Sequence, residues 1–214
     1  MRSAPSLRGG HAARAGGLVL GLFLFAAGIV MLLESELGLS PWDVLNQGLS
    51  KHTILSFGMA NVAVALVVLG IAWAFRARIG PGTVANALLI GIFIEALTRI
   101  EAIERLSEAP LLARALLLGG GILTIAVGSA FYIGADYGAG PRDSLMLVLA
   151  ERSPLRIGAA RAMLEATAVA AGFALGGTVG IGTVAFALLI GPAVELAFWL
   201  LGRSPLAEVA SPSG

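Results

Sequence analysis

Two pairs of acids, each pair set 100 residues apart, are the residues best suited to chemistry in this chain: Asp43 with Asp143, and Glu95 with Glu195. All four lie in or beside apolar stretches. A carboxylate in such surroundings takes up a cation, carries a proton or orients a polar solute. Asp43 and Asp143 each follow a proline by two residues, Pro41 and Pro141. Ser40 is a good N-cap, Pro41 suits the first helical position, and an acid in the third favours the positive end of the helix. Capping alone accounts for both aspartates. Their retention in two copies adds the sharper reading, that they bind a substrate or ion. Glu95 ends a row of Thr83, Ala87, Gly91 and Glu95, four residues apart and so on one helix face, and Thr183, Ala187, Gly191 and Glu195 repeat it. Small residues at that spacing let membrane helices approach closely, so the row is expected to face protein. Each glutamate lies about 18 Å along its helix from the threonine, past the middle of a bilayer. A structural ion pair is the plain role for these glutamates and substrate or ion binding the sharper one.

Weaker candidates follow. Arg161 and Glu165 stand one turn apart, but the matching positions in the first half are Asn61 and Ala65, so this pair ranks below the glutamates. Asn86 is opposed to Phe186 and is likewise secondary. Gly80-Pro81-Gly82-Thr83 and Gly180-Ile181-Gly182-Thr183 lack the lysine and the preceding strand of a phosphate cradle, and read as tight turns with Thr83 and Thr183 as N-caps. Ser40, Pro41, Pro141, Gly82, Thr83, Gly182 and Thr183 therefore form a structural repeat motif. His11 and His52 are isolated and there is no cysteine, which argues against metal, thiolate and disulfide chemistry. No nucleophile triad or nucleotide fingerprint is present. The expectation is a protein that is not an enzyme and carries no cofactor or metal.

The elements that must hold these groups are membrane helices. The chain is 57% hydrophobic and 13% charged, with mean hydropathy +0.91. Its long uncharged runs predict six spans near 16–33, 56–75, 82–99, 113–134, 157–175 and 182–201. The 100-residue echo keeps register from Gly38 to Glu95 without a gap, so the chain is read as a duplication. Arg2, Arg8, Arg14, Arg76, Arg78, Arg142, Arg152, Arg156 and Arg203 fall on one side, against Lys51, Arg99, Arg105 and Arg114 on the other. That bias predicts cytoplasmic N- and C-termini. Three spans per copy then force the second copy to enter the membrane upside down. The expected fold is an all-α polytopic membrane protein of six transmembrane helices in two inverted three-helix repeats. Its organisation is a tail at 1–14, repeat one at 15–107, repeat two at 108–203 and a tail at 204–214. Each repeat also holds a short helix, after Ser40 and after Gly140. About 16 Å long, it either lies flat at the interface, with Trp42 as an aromatic anchor, or dips in as a re-entrant half-helix.

Leu37-Gly38-Leu39-Ser40-Pro41-Trp42-Asp43-Val44-Leu45, with Gly82-Thr83-Val84-Ala85-Asn86 and Gly138-Ala139-Gly140-Pro141-Arg142-Asp143, resembles the YczE-like family of bacterial integral membrane proteins, itself similar to YitT-type membrane proteins. The resemblance implies a bacterial inner-membrane location and a polytopic helical fold, and brings no catalytic or binding residue with it. Inverted repeats, paired short helices and duplicated acids point to a small-molecule or ion transporter working by alternating access. The alternative is a non-transporting scaffold or accessory factor for an enzyme system at the cytoplasmic face. Expected partners are the lipid bilayer, an unknown small molecule or ion, and a membrane or cytoplasmic protein; the net charge of +1 gives no reason to expect nucleic acid.

Overall fold

The computed structural model describes residues 6–207; Arg2 and residues 208–214 of the expected tails lie outside the described residues. Helices run α1 (His11–Ser35), α2 (Pro41–His52), α3 (Phe57–Ala74), α4 (Pro81–Thr98), the single turn α5 (Glu101–Glu104), α6 (Leu111–Gly134), α7 (Pro141–Arg152), α8 (Ile157–Ala174) and α9 (Ile181–Arg203). Six of them, α1, α3, α4, α6, α8 and α9, are long and apolar enough to cross a membrane. The expected six spans and two short helices are all present. The first begins earlier than expected, at His11, so Arg14 belongs to α1 and not to a tail. The bounds of α2 and α7 start 100 residues apart, as do those of α3 and α8, and of α4 and α9.

The core is the crossing of α1 and α6, where glycines let the backbones meet. A Cβ on Gly21 would lie 2.8 Å from the Gly128 carbonyl oxygen, and one on Gly28 would lie 2.7 Å from that of Gly121. Gly121 and Gly128 stand where Gly21 and Gly28 stand in the other half, so each contact recurs with the halves exchanged. The same exchange governs the ends of the two helices. Arg14 donates from Nε to the Ala135 carbonyl at 2.9 Å and pairs with Asp136 at 3.1 Å. Arg114 donates to the Ser35 carbonyl at 2.8 Å and pairs with Glu36 at 3.1 Å.

The Gly-x-Gly-Thr turns are docking points between the halves. The Gly182 amide donates to the Leu37 carbonyl at 2.7 Å, and the Gly82 amide donates to the Tyr137 carbonyl at 2.8 Å. Gly38 and Gly138, with φ of +125° and +116°, turn the chain sharply against these sites. The caps differ from expectation. Gly80 and Gly180 are the N-caps, and Thr83 and Thr183 sit in the first turn, accepting from the Gly80 and Gly180 amides at 3.1 and 3.3 Å. The reason is that α4 and α9 start one residue before the Gly-Thr pair, at Pro81 and Ile181.

The first and last described stretches of the chain meet. Leu7 bridges Ala207, and the Arg8 amide donates to the Leu206 carbonyl at 2.7 Å. The outward faces of the long helices are apolar, with Val67, Leu112, Leu116, Leu188 and Leu200 exposed. Among the described residues no water-soluble domain covers them, so these faces need lipid.

Candidate functional site

After α1 ends at Ser35, residues 36–40 turn back into the bundle, and α2 returns outward from Pro41. α7 does the same from Pro141. The two N-terminal ends converge on one cavity of about 190 Å³. Its walls come from mid-length of the long helices: Asn61 and Ala65 of α3, Asn86 and Ile90 of α4, Arg161 and Glu165 of α8, Ile190 and Val194 of α9. The short helices therefore start at the height of the middle of the bundle instead of lying along its end.

At α2, Ser40 caps as expected: its Oγ accepts from the Asp43 amide at 3.4 Å and also donates to the Asp43 carboxylate. Asp43 is 1% exposed and takes a second bond from Asn46 Nδ2 at 3.1 Å. At α7 the cap is Gly140, which brings no hydroxyl. A Cβ there would lie 3.2 Å from Asn86 Nδ2, so glycine is what lets Asn86 reach this end of the cavity. Asp143 instead accepts from the Tyr132 hydroxyl at 2.9 Å. Arg161 donates from Nε to Glu165 at 2.8 Å. All three acids in the cavity wall thus have donors of their own.

Arg142 and Asn61 are among the donors left over. Arg142 lies with its guanidinium 5.1 Å from the centre of the Trp42 ring and has no hydrogen-bond or ion-pair partner among the described residues. Asn61 is 2% exposed, and its Nδ2 has no partner. A buried amide donor without an acceptor costs roughly 1–3 kcal/mol, so a molecule in the cavity gains by supplying one. Among the described residues, no three His, Cys, Asp or Glu side chains come close enough to hold a metal.

The sequence candidates divide. Asp43, Asp143, Arg161, Glu165 and Asn86 all line the cavity, whereas Glu95 and Glu195 do not. Glu95 lies more than a turn beyond Ile90, where it accepts from the Ser56 hydroxyl and from Arg99 at 2.9 Å. Glu195 is exposed. The Thr-Ala-Gly-Glu row faces protein on α4, where Thr83, Ala87 and Gly91 are buried; on α9 only Thr183 is. Two further readings change. Trp42 is a wall of the cavity and not an interfacial anchor, and Arg142 points into the bundle and so does not belong in a count of loop charges. Arg142, Trp42, Tyr132 and Asn61 are the site residues that sequence reasoning passed over. Trp42 and Arg142 carry a faint signal, sitting between a retained proline and a retained aspartate.

A family described only as of unknown function, DUF6198, matches residues 12–198. The chain belongs to this family. Among curated proteins, this DUF6198 member is 30% identical over 202 residues to the uncharacterised membrane protein YczE of Bacillus subtilis, which spans 90% of this chain and 92% of that one. It is also 34% identical over 188 residues to an uncharacterised protein of Haemophilus influenzae, covering 88% of this chain and 84% of the relative. No solved structure matches. The YczE resemblance seen in the sequence holds across most of the chain, and the DUF6198 member is an integral membrane protein.

Proposed function

We propose that this protein is a transporter of small polar solutes, working by alternating access between two inverted repeats. The observation that carries the reading is the charged cavity at mid-bundle, walled by equivalent positions of both halves: Pro41 with Pro141, Asp43 with Asp143, Ile90 with Ile190. Contacts that recur with halves exchanged support a two-fold relation between the copies. Short helices starting at the mid-bundle cavity support the transporter class, because half-helices of this kind aim their positive N-terminal ends at bound solute. The backbone of residues 36–40 and 136–140 is irregular at that depth, which is tolerable only where it is enclosed by protein or borders a cavity.

The solute class follows from what the wall leaves unused. The acids are engaged by Ser40, Asn46, Tyr132 and Arg161, while Arg142 and Asn61 remain free to donate. A compact solute with a single carboxylate matches that pair, since the planar guanidinium accepts a carboxylate in two-point fashion. A cavity of about 190 Å³ is smaller than pockets for drug-sized ligands, which keeps the solute small. Purified protein in detergent tests this by thermal stability. Straight-chain monocarboxylates from acetate to hexanoate should stabilise the folded protein, by about 2.7 kcal/mol at a hundredfold excess over Kd, and so raise its melting temperature, and the matching amines and amides should not. Stabilisation by amines alone, or equal stabilisation of Arg142→Gln, would contradict the assignment.

A second reading, a membrane scaffold, draws on the uncovered face of α9 at Ala187 and Gly191. Its mark would be one stoichiometric partner whose co-purification is lost on Gly191→Leu and kept on Arg142→Gln.

A further inference from the structure

The two halves are not in the same state. In the first, α3 is closed on α4: a Cβ on Gly58 would lie 2.6 Å from the Gly91 carbonyl oxygen, and one on Gly91 would lie 2.6 Å from that of Gly58. Val62 packs on Gly91, and Ser56 donates to Glu95 across the same seam. In the second half, Gly158 and Gly191 hold the matching positions, yet neither has anything within 4 Å of where a Cβ would be. Ala187, Gly191 and Glu195 are exposed, whereas Ala87 and Gly91 are buried. α8 packs instead on α7 and on α2, where a Cβ on Gly172 would collide with the backbone of Val44 and Leu45. The seam between α8 and α9 is open at the end where the glycines are.

We infer that α8 closes onto α9 in a second state of the protein. Gly158 meets Gly191 there as Gly58 meets Gly91 here, and Arg156 pairs with Glu195. The inference deepens the transport reading and rests on it. The serine that bonds Glu95 is replaced at the matching position by Arg156, so closure would exchange a hydroxyl contact for an ion pair. Arg156 and Glu195 side chains have no partner among the described residues in the open arrangement. Small residues on both faces allow the helices to approach at little steric cost. A pair shielded from water by that approach gains more than an exposed one. This difference in contacts between two states is what a conformational equilibrium requires. The motion also reaches the cavity, because α8 carries Arg161 and Glu165 in its wall. Closure onto α9 moves those two side chains while it shuts the lateral seam.

The absence of native cysteine makes the test clean. In the full chain in lipid, Ala162→Cys with Gly191→Cys copies the Val62–Gly91 contact. Both positions are exposed, so the substitutions leave the fold intact. Oxidation should give a disulfide within one chain, which requires the Cα atoms to approach within about 7 Å. Its rate should fall about tenfold on Glu195→Gln, the coupling expected of contacting charges, and recover when Arg156→Glu is combined with Glu195→Arg. Free maleimide reaction of both thiols with no intrachain disulfide would overturn the inference. So would a disulfide forming only between two chains, which would assign the α9 face to a second copy. Cross-linking with no solute flux would refute the transport reading and leave the closure standing; flux with no cross-linking would do the reverse.

Discussion

Arg142 is the residue on which the site turns. Its guanidinium makes no hydrogen bond among the described residues, in a wall whose acids are already bonded, and it lies over the Trp42 ring. Arg142→Gln should reduce solute affinity at least about tenfold, an effect of the size seen when a charged hydrogen bond is lost. Arg142→Lys should recover little of it, because an ammonium offers neither the planar stack nor the two-point fork. Ligand titration by thermal stability or calorimetry reads both. Ser40 belongs to the same scale with the opposite expectation. Ser40→Ala removes the α2 cap and one donor to Asp43, and should destabilise by about 1 kcal/mol. Recovery of ligand response in that variant at high solute would separate its structural part from that of Arg142.

At the scale of elements, glycines decide which helices touch. Gly28→Ala drives a methyl to 2.7 Å from the Gly121 carbonyl in the α1–α6 crossing, whereas Gly119 on the same helix pair has open space around it. Overpacking of this kind costs about 1–3 kcal/mol, so Gly28→Ala should lower the melting temperature in detergent and Gly119→Ala should leave it nearly unchanged. Equal effects would mean that the crossing is looser than described. The elements themselves were legible in the sequence. Long uncharged runs marked six helices, and Ser40-Pro41 and Gly140-Pro141 marked the starts of two short ones. Membership of the cavity was not as legible. Identity between copies singled out Glu95 and Glu195, but identity also marks packing, and Glu95 serves a helix seam. Trp42 and Arg142 differ between the copies and so escaped a comparison built on what repeats, though they meet each other because they are equivalent positions. Asn61 and Arg161 escaped the leading set for the same reason. The shared residues build the frame and bring Asp43 and Asp143 to the cavity, and the divergent ones add its free donors.

At the scale of the whole molecule, pairing of Leu7 with Ala207 brings the first and last described stretches of the chain together. Reporter tags at the two termini should therefore be protected from, or exposed to, an external protease together. One tag cleaved and the other protected in intact spheroplasts would contradict the six-span arrangement. The exchanged contacts also tie the halves closely: Arg14 with Asp136, Arg114 with Glu36, and each Gly-x-Gly-Thr turn with the other half's loop. Movement between states must then occur at the long helices outside this frame, α3 against α4 and α8 against α9, around a cavity that stays at the centre. The most direct measurement is flux of labelled small monocarboxylates into liposomes containing the purified protein. Uptake should exceed that of empty liposomes and fall to background in Arg142→Gln while persisting in Gly119→Ala. Folded protein giving no uptake, or uptake indifferent to Arg142, would contradict the account.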